Sequence, residues 1–224
     1  MIIDNTYFKN EIYIPNAKPA VTGALKGVAL EVAFIIEEYS RDCLIKCLGY
    51  SLFLELESKL DITKPNGLID GVDEKWNELL NGVTYVNTLG KTVKWRGIRF
   101  ATINSTEPVI DTSFLAYYVY YFYERNAYIT KANSGNEIAE AKNAVSVKPT
   151  LKVTDAWRKF IKLVQGKKPL ATVIQNNYGY GLDWYVGGSE ISLYEFINDS
   201  NKIVEGTYAD FQPYNWGTIN QFGI

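Results

Sequence analysis

The chain has 224 residues and a mass of 25.4 kDa, enough for about 70% of the extended surface to be buried on folding. With 47% hydrophobic, 21% charged and 14% aromatic residues, it is excluded from the disordered, collagenous and disulfide-framework classes and fits one domain with appendages or two small ones. A formal charge of -2, from 23 basic and 25 acidic residues and no histidine, argues against a dominant phosphate-binding surface.

Residues 1–20 carry Ile12, Tyr13 and Ile14 ahead of Pro15 and Pro19. Each proline removes an amide donor and restricts its predecessor, so the segment reads as an extended arm or a short edge strand. The amino terminus lacks the basic, apolar and small-residue succession of a signal peptide, and no apolar run reaches membrane-spanning length, which predicts a soluble protein.

Helical character is expected from Thr22 or Gly27. Val28, Val32, Ile35, Ile36, Tyr39, Cys43, Cys47 and Leu48 form a broad apolar stripe opposite Glu31, Glu37, Glu38, Arg41, Asp42 and Lys46. Cys43 and Cys47 share that stripe as small buried hydrophobes. A disulfide inside a regular helix has poor geometry, and two thiols without histidine are too few for zinc. Gly49 marks a kink or the start of a second short helix with Tyr50, Phe53, Leu54, Leu56 and Leu60. The turn residues Pro65, Asn66, Gly67 and Asp70 stop propagation between Asp61 and Gly71. Asp73 then caps a helix over 74–80 that turns Trp76, Leu79 and Leu80 inward.

From Val83 to Thr102 the period becomes that of strands, and Gly90 with Lys91 supplies a hairpin turn between 84–87 and 92–95. A two-stranded ribbon is marginal alone, so it packs on the helices or pairs with a neighbouring chain; Trp95 and Phe100 are its expected anchors. After Pro108 a helix over 109–127 is expected, with Asp111, Thr112 or Ser113 near its start. Its run Phe114, Leu115, Tyr117 to Tyr123 is apolar or amphipathic around nearly the whole circumference. Such a helix needs more than one neighbour, within a bundle or at a subunit seam. Residues 130–148 read as a flexible crossover. Val153, Ala156, Trp157, Phe160, Ile161 and Val164 recur at helical spacing beyond Pro149, and Gly166 to Pro169 end that helix.

The chain from 170 onward holds Lys202 alone against Asp183, Glu190, Glu195, Asp199, Glu205 and Asp210, net -5, whereas residues 1–169 hold 22 basic against 19 acidic residues, net +3. Ser189 or Ser192 caps a short helix with Leu193, Phe196 and Ile197. Tyr208, Phe211, Tyr214, Trp216, Ile219 and Phe222 follow without regular periodicity, as in a tail laid across a body or a partner. The expected architecture is mainly α: a helical bundle with an inserted β-hairpin and extended N- and C-terminal arms. It divides into an arm (1–20), a body (21–169, hairpin at 83–102, crossover at 130–148) and a partner-binding extension with a short helix (170–224).

No catalytic constellation emerges. The absence of histidine removes the usual triad base and the commonest metal ligand, and the carboxylate pairs Glu37/Glu38 and Asp70/Asp73 lack facing geometry or a complementary set. Asp61, Thr63, Asn66 and Asp70 miss the spacing of a calcium loop, and Gly179, Gly181, Gly187 and Gly188 miss the dinucleotide fingerprint. The expectation is a non-enzyme without cofactor or metal. Trp184, Tyr185, Tyr208, Tyr214 and Trp216 suit either saccharide stacking or a protein clamp, and Lys91, Lys94, Arg96 and Arg99 offer basic contacts on the hairpin to passing DNA.

Five segments carry a resemblance: Cys-Leu-Gly-Tyr-Ser-Leu-Phe at 47–53, Lys-Trp-Arg-Gly at 94–97, Tyr-Phe-Tyr-Glu-Arg-Asn at 121–126, Pro149 before Ala156-Trp157, and Leu-Tyr-Glu-Phe-Ile-Asn at 193–198. Over roughly residues 10–224 the chain resembles a family of structural proteins of tailed phages and prophages of gut Bacteroidetes that look like head-tail connector or neck-ring proteins. The resemblance implies a small helical body, a ring of twelve copies below the portal around the DNA channel, and a place in the virion neck after assembly in the bacterial cytoplasm. Its implied partners are further copies of the chain, the portal protein, adjoining neck or tail proteins and nearby packaged double-stranded DNA, with no membrane. Interface candidates on this reading are Ile12, Tyr13, Ile14, Trp95, Phe100, Tyr117, Tyr120, Tyr121, Trp184, Tyr208, Phe211, Tyr214, Trp216 and Phe222. The alternatives are another virion role such as tail completion, and a saccharide-binding module built on the C-terminal aromatics.

Overall fold

The computed structural model describes residues 2–17, 27–61, 63–100, 112–133, 149–166, 190–214 and 216. Among them the chain is mainly helical, with six α-helices and one two-stranded antiparallel sheet, the helical bundle with an inserted hairpin that the periodicities predict. Helix α1 (Val28–Leu48) buries Val32, Ile36, Cys43, Cys47 and Leu48 from the predicted stripe. It breaks at Gly49, where φ is 90°. A Cβ there would lie 3.0 Å from the backbone of Gln212, so both the dihedral and the crossing C-terminal segment require glycine. The chain restarts as the separate helix α2 (Tyr50–Glu57), which buries Leu52, Phe53 and Leu56.

The turn after α2 is closed by its own side chains: Asp61 accepts from the Thr63 amide at 3.0 Å and Asn66 from the Leu68 amide at 3.2 Å. Asp73 caps α3 (Glu74–Asn81) by accepting from the Lys75 amide at 3.0 Å, and Trp76, Leu79 and Leu80 face the core. Strand β1 (Val83–Val86) pairs with β2 (Thr92–Trp95), Val83 opposite Trp95 and Val86 opposite Thr92. The first strand lies one residue earlier than predicted because Asn87 belongs to the turn. Its side-chain oxygen accepts from the amides of Leu89 and Lys91, both at 3.0 Å.

Helix α4 (Phe114–Asn133) begins later than the predicted residue 109 and ends beyond the predicted residue 127. Ser113 sets its start: the hydroxyl donates to Ile98 O at 2.6 Å and accepts from the Leu115 amide at 3.2 Å. Residues 109–111 lie outside the described chain, as does 134–148 of the predicted crossover, whose first residues belong to α4. Every residue from Phe114 to Tyr120 is buried. The covering neighbours are α1, the N-terminal segment and α5 (Pro149–Gln165), whose proline suits the first helical turn. Helix α6 (Leu193–Ile203) starts with a reciprocal capping box between Ser192 and Glu195 and turns Leu193, Phe196 and Ile197 inward.

The N-terminal segment forms two 3-10 turns, Asn5–Tyr7 and Asn10–Ile12, in place of the edge-strand option. Asp4 accepts from the Thr6 amide at 2.8 Å, and positive φ at Asn10 and Asn16 breaks extension. The segment is docked: Ile3, Phe8, Ile12, Ile14 and Ala17 are buried, and the Asn5 amide donates to Ala17 O at 2.6 Å and Ala29 O at 2.8 Å. The C-terminal segment is held in a similar way. The amides of Gln212 and Tyr214 donate to Leu48 O at 3.1 Å and Lys46 O at 2.7 Å. Those carbonyls belong to the last turn of α1 and have no intrahelical donor, so the strap acts as that helix's cap.

Candidate interaction surfaces

The hairpin divides its side chains between two faces. Trp95 is 4% exposed, stacks on Phe196 with centroids 5.5 Å apart, and donates from Nε1 to Leu79 O at 3.1 Å. Tyr85 packs edge-on against Phe196 at 6.1 Å and donates to Asp199 at 3.2 Å. Burial, and then the Asp199 carboxylate, push its phenol above the ordinary tyrosine range. Trp95 is therefore a core residue and is corrected as an intermolecular anchor. Phe100 is half-buried beneath the Arg96 guanidinium, which lies 4.6 Å from the ring centroid. What the hairpin leaves in solvent is its tip: Val86 is 60% and Leu89 76% exposed.

The tyrosine helix is likewise an internal element. Tyr118 sits among Phe122, Trp157, Phe160 and Trp216 with centroid separations of 4.9, 6.1, 5.0 and 5.6 Å. Its hydroxyl donates to Asp42 at 2.5 Å, and Lys46 holds the same carboxylate at 2.7 Å. Burial, followed by the Asp42 hydrogen bond, raises the Tyr118 phenol far above its usual range. Tyr117 reaches Glu11 at 2.6 Å, and Lys159 meets the same oxygen at 2.6 Å, which ties the N-terminal segment to α4 and α5. Tyr117 and Tyr120 are buried within the single chain, the bundle side of the bundle-or-seam expectation, and Tyr121 stays half-buried against Trp157 at 4.7 Å.

Of the terminal candidates, Ile12 and Ile14 are each 1% exposed, Tyr208 1% and Trp216 4%, so their apolar surface is already covered by this chain's own body. Tyr208 donates to Lys75 O at 2.6 Å. Burial of both Tyr208 and Trp216 removes them as open saccharide platforms. Tyr13 and Tyr214 remain exposed and Phe211 half-buried against Tyr194, whereas Trp184, Tyr185 and Phe222 lie outside the described residues. Two of the four basic candidates are committed to the fold. Arg96 forms an ion pair with Glu190, and Arg99 donates to Pro65 O at 2.8 Å. Lys91 and Lys94 stay exposed.

The oxygens of the 61–70 turn serve that turn. Asp61 accepts from the Thr63 hydroxyl and amide, which lower its carboxyl below the usual range, and Asp70 pairs with Lys64 at 2.7 Å. Cys43 and Cys47 are free, fully buried thiols whose sulfurs share a hydrogen bond at 3.8 Å; burial and the neighbouring thiol push Cys43 well upward, away from thiolate chemistry. Among the described residues no group of three or more His, Cys, Asp or Glu is arranged to hold a metal ion, and no helix is long and apolar enough to cross a membrane. The cavity between Trp95, Phe100, Phe114 and Leu163 measures about 20 Å³, room for a single water. Comparison with protein-family models, curated proteins and solved structures gives no match for this chain.

Sequence reasoning missed Val86 and Leu89. The available signal was a leucine inside the turn Asn87-Thr88-Leu89-Gly90, where polar residues ordinarily sit. It also missed Phe34, 63% exposed between Glu31 and Glu38 on the wet face of α1, and Tyr50, 62% exposed beside the Gly49 break.

Proposed function

We propose that this chain is a structural subunit of a phage head-tail connector, a neck-ring protein that acts by assembly around the DNA channel below the portal. The observation that carries the reading is the hairpin: a ribbon fixed on α6 by Trp95 and Tyr85 that holds an apolar tip, Val86 and Leu89, out in solvent. Exposed apolar side chains held on an element of fixed conformation are surface that contact with another protein would cover. Tyr13, Phe34, Tyr50 and Tyr214 add large exposed side chains on other elements, as a subunit with several neighbours requires. A ring uses two different surfaces of each copy, and twelve copies is the stoichiometry that the family resemblance brings. Lys91 and Lys94 on the outer hairpin are the basic residues left for a DNA channel or an acidic neighbour.

The test is electron microscopy of the assembled particle, or of this protein mixed with the adjoining portal. Ring density next to the portal that fits the α1–α4–α5 bundle is the expected result. Density at the tail tip supports the tail-completion alternative, and binding of the isolated chain to glycans without co-assembly overturns the structural reading.

A further inference from the structure

The rest of the chain treats the hairpin's two edges differently. The turn sets which main-chain groups face each edge. The Asn87 amide donates to Lys91 O and the Gly90 amide to Asn87 O, both at 2.9 Å, so the ladder closes at the Asn87–Lys91 pair. Hydrogen-bonded and non-hydrogen-bonded pairs alternate along an antiparallel ladder. The observed register therefore turns the backbone of Val83 and Tyr85 in toward Trp95 and Val93, and points that of Thr84 and Val86 on β1, and of Thr92 and Lys94 on β2, outward. On the β2 side Lys94 is taken: its carbonyl accepts from the Ile191 amide at 3.1 Å, where Lys94 and Glu190 form a parallel bridge. On the β1 side no other part of the described chain takes up the main-chain groups of Thr84 and Val86, and both residues are exposed. Strand β1 carries neither a charge nor a proline, the usual guards of an open edge.

We infer that β1 pairs antiparallel with β1 of a second copy of this chain about a two-fold axis at Tyr85, joining the two hairpins into one sheet. In that register Thr84 stands opposite Val86 of the partner subunit, each donating to and accepting from the other, so every outward group of the edge is satisfied. The occupant follows from which edge is open. Ile191 closes β2 at Lys94, so copies cannot join β1 to β2 in a growing series, and only β1 offers an open run to another strand. The contact uses the same patch on both copies and stops at a pair. Thr84 and Val86 become β-branched cross-strand neighbours on the outer face, which covers part of the Val86 side chain, 60% exposed in the single chain. The like charges nearest the seam are those acting on Tyr85, Asp199 first and then Glu195 and Glu78, and salt screens them. This inference goes beyond the connector reading and does not rest on it.

The experiment follows the purified full chain by analytical ultracentrifugation across a wide concentration series at physiological ionic strength, with the exchange of individual amides read by NMR. The wild-type chain associates, and the amides of Thr84 and Val86, open in the monomer, exchange at least about tenfold more slowly once it has done so. Val86→Pro removes an amide that the hairpin's own ladder does not use. It moves association to concentrations more than about tenfold higher, the loss expected for two symmetry-related hydrogen bonds, with Trp95 fluorescence unchanged. Thr84→Lys places like charges on either side of the axis and weakens association in the same direction; its side chain stands on the exposed face, so it decides the matter where proline disturbs the hairpin. A chain that remains monomeric throughout, or one whose association leaves both amides unprotected and ignores both variants, overturns the pairing. Either result leaves the connector reading to be decided separately, by ring density at the portal.

Discussion

Helix α4 and the hairpin are both rich in aromatic and branched residues, and they use them in opposite ways. Helix α4 is surrounded by α1, α5, the N-terminal segment and Trp216 of the strap, so its whole circumference from Phe114 to Tyr120 is spent inside one chain. The hairpin has a helix layer on one side only. Its alternation sends Val93 and Trp95 inward and leaves Thr92 and Lys94 outside, and the tip extends past its support with Val86 and Leu89 exposed. The number of neighbours, and not the density of aromatics, decides which region has surface to offer a partner.

The largest expected effect tests α4's side of that contrast. Tyr118→Ala opens a cavity among four aromatic neighbours and removes the donor to Asp42, for a loss of about 3–5 kcal/mol in urea denaturation of the full chain. A loss under about 1 kcal/mol would mean that α4 is not sealed within the monomer. Next in size is the hairpin root. A Cβ on Gly82 would stand 2.5 Å from Trp95 O while the backbone holds φ at 93°. Gly82→Ala is expected to cost about 1–3 kcal/mol and to redshift Trp95 fluorescence as the ring leaves Phe196. An unchanged spectrum and midpoint would show the ribbon to be loosely attached, and its tip no longer a fixed knob.

The smallest effect lies under the hairpin, at Glu78 of α3. Desolvation, then the Glu74 and Asp73 charges, raise its carboxyl above the ordinary value. The folded state therefore holds this proton more tightly than the unfolded chain. The associated stability is fully present below the unfolded pKa of about 4.3 and is lost as pH rises through the higher folded value. Glu78→Gln should accordingly be the more stable protein at pH 7, and its advantage over wild type should shrink as pH falls toward about 4. An advantage constant with pH would assign the effect to packing.

Much of the fold was legible because its signals are local. Asp73 as a cap, Ser192 as one of two serines offered as a cap, Gly49 as a break, a hairpin turn at Gly90 and the α1 stripe each depend on residues within a few positions of one another, although Asn87 was read into the strand and belongs to the turn. The boundaries of α4 were less so, since its true cap, Ser113, is fixed by a hydrogen bond to Ile98, fifteen residues earlier. The interface candidates fared differently for the same reason. Trp95, Tyr117, Tyr120, Tyr208 and Trp216 read as adhesive along the chain, and so they are, but toward partners distant in sequence.

The sequence by itself determined the helical class, the hairpin, the thiols' placement on one helical stripe and the surplus of aromatic surface. Only the tertiary structure decided how that surplus is shared. Among the described residues, the docking of residues 2–17 and the capping of α1 by Gln212 and Tyr214 bury much of it in cis, leaving Val86 and Leu89 of the hairpin with Tyr13, Phe34, Tyr50 and Tyr214 exposed. The physical reason is that burial belongs to pairs of surfaces, and which surfaces meet depends on contacts between segments far apart in the chain, which no local periodicity encodes.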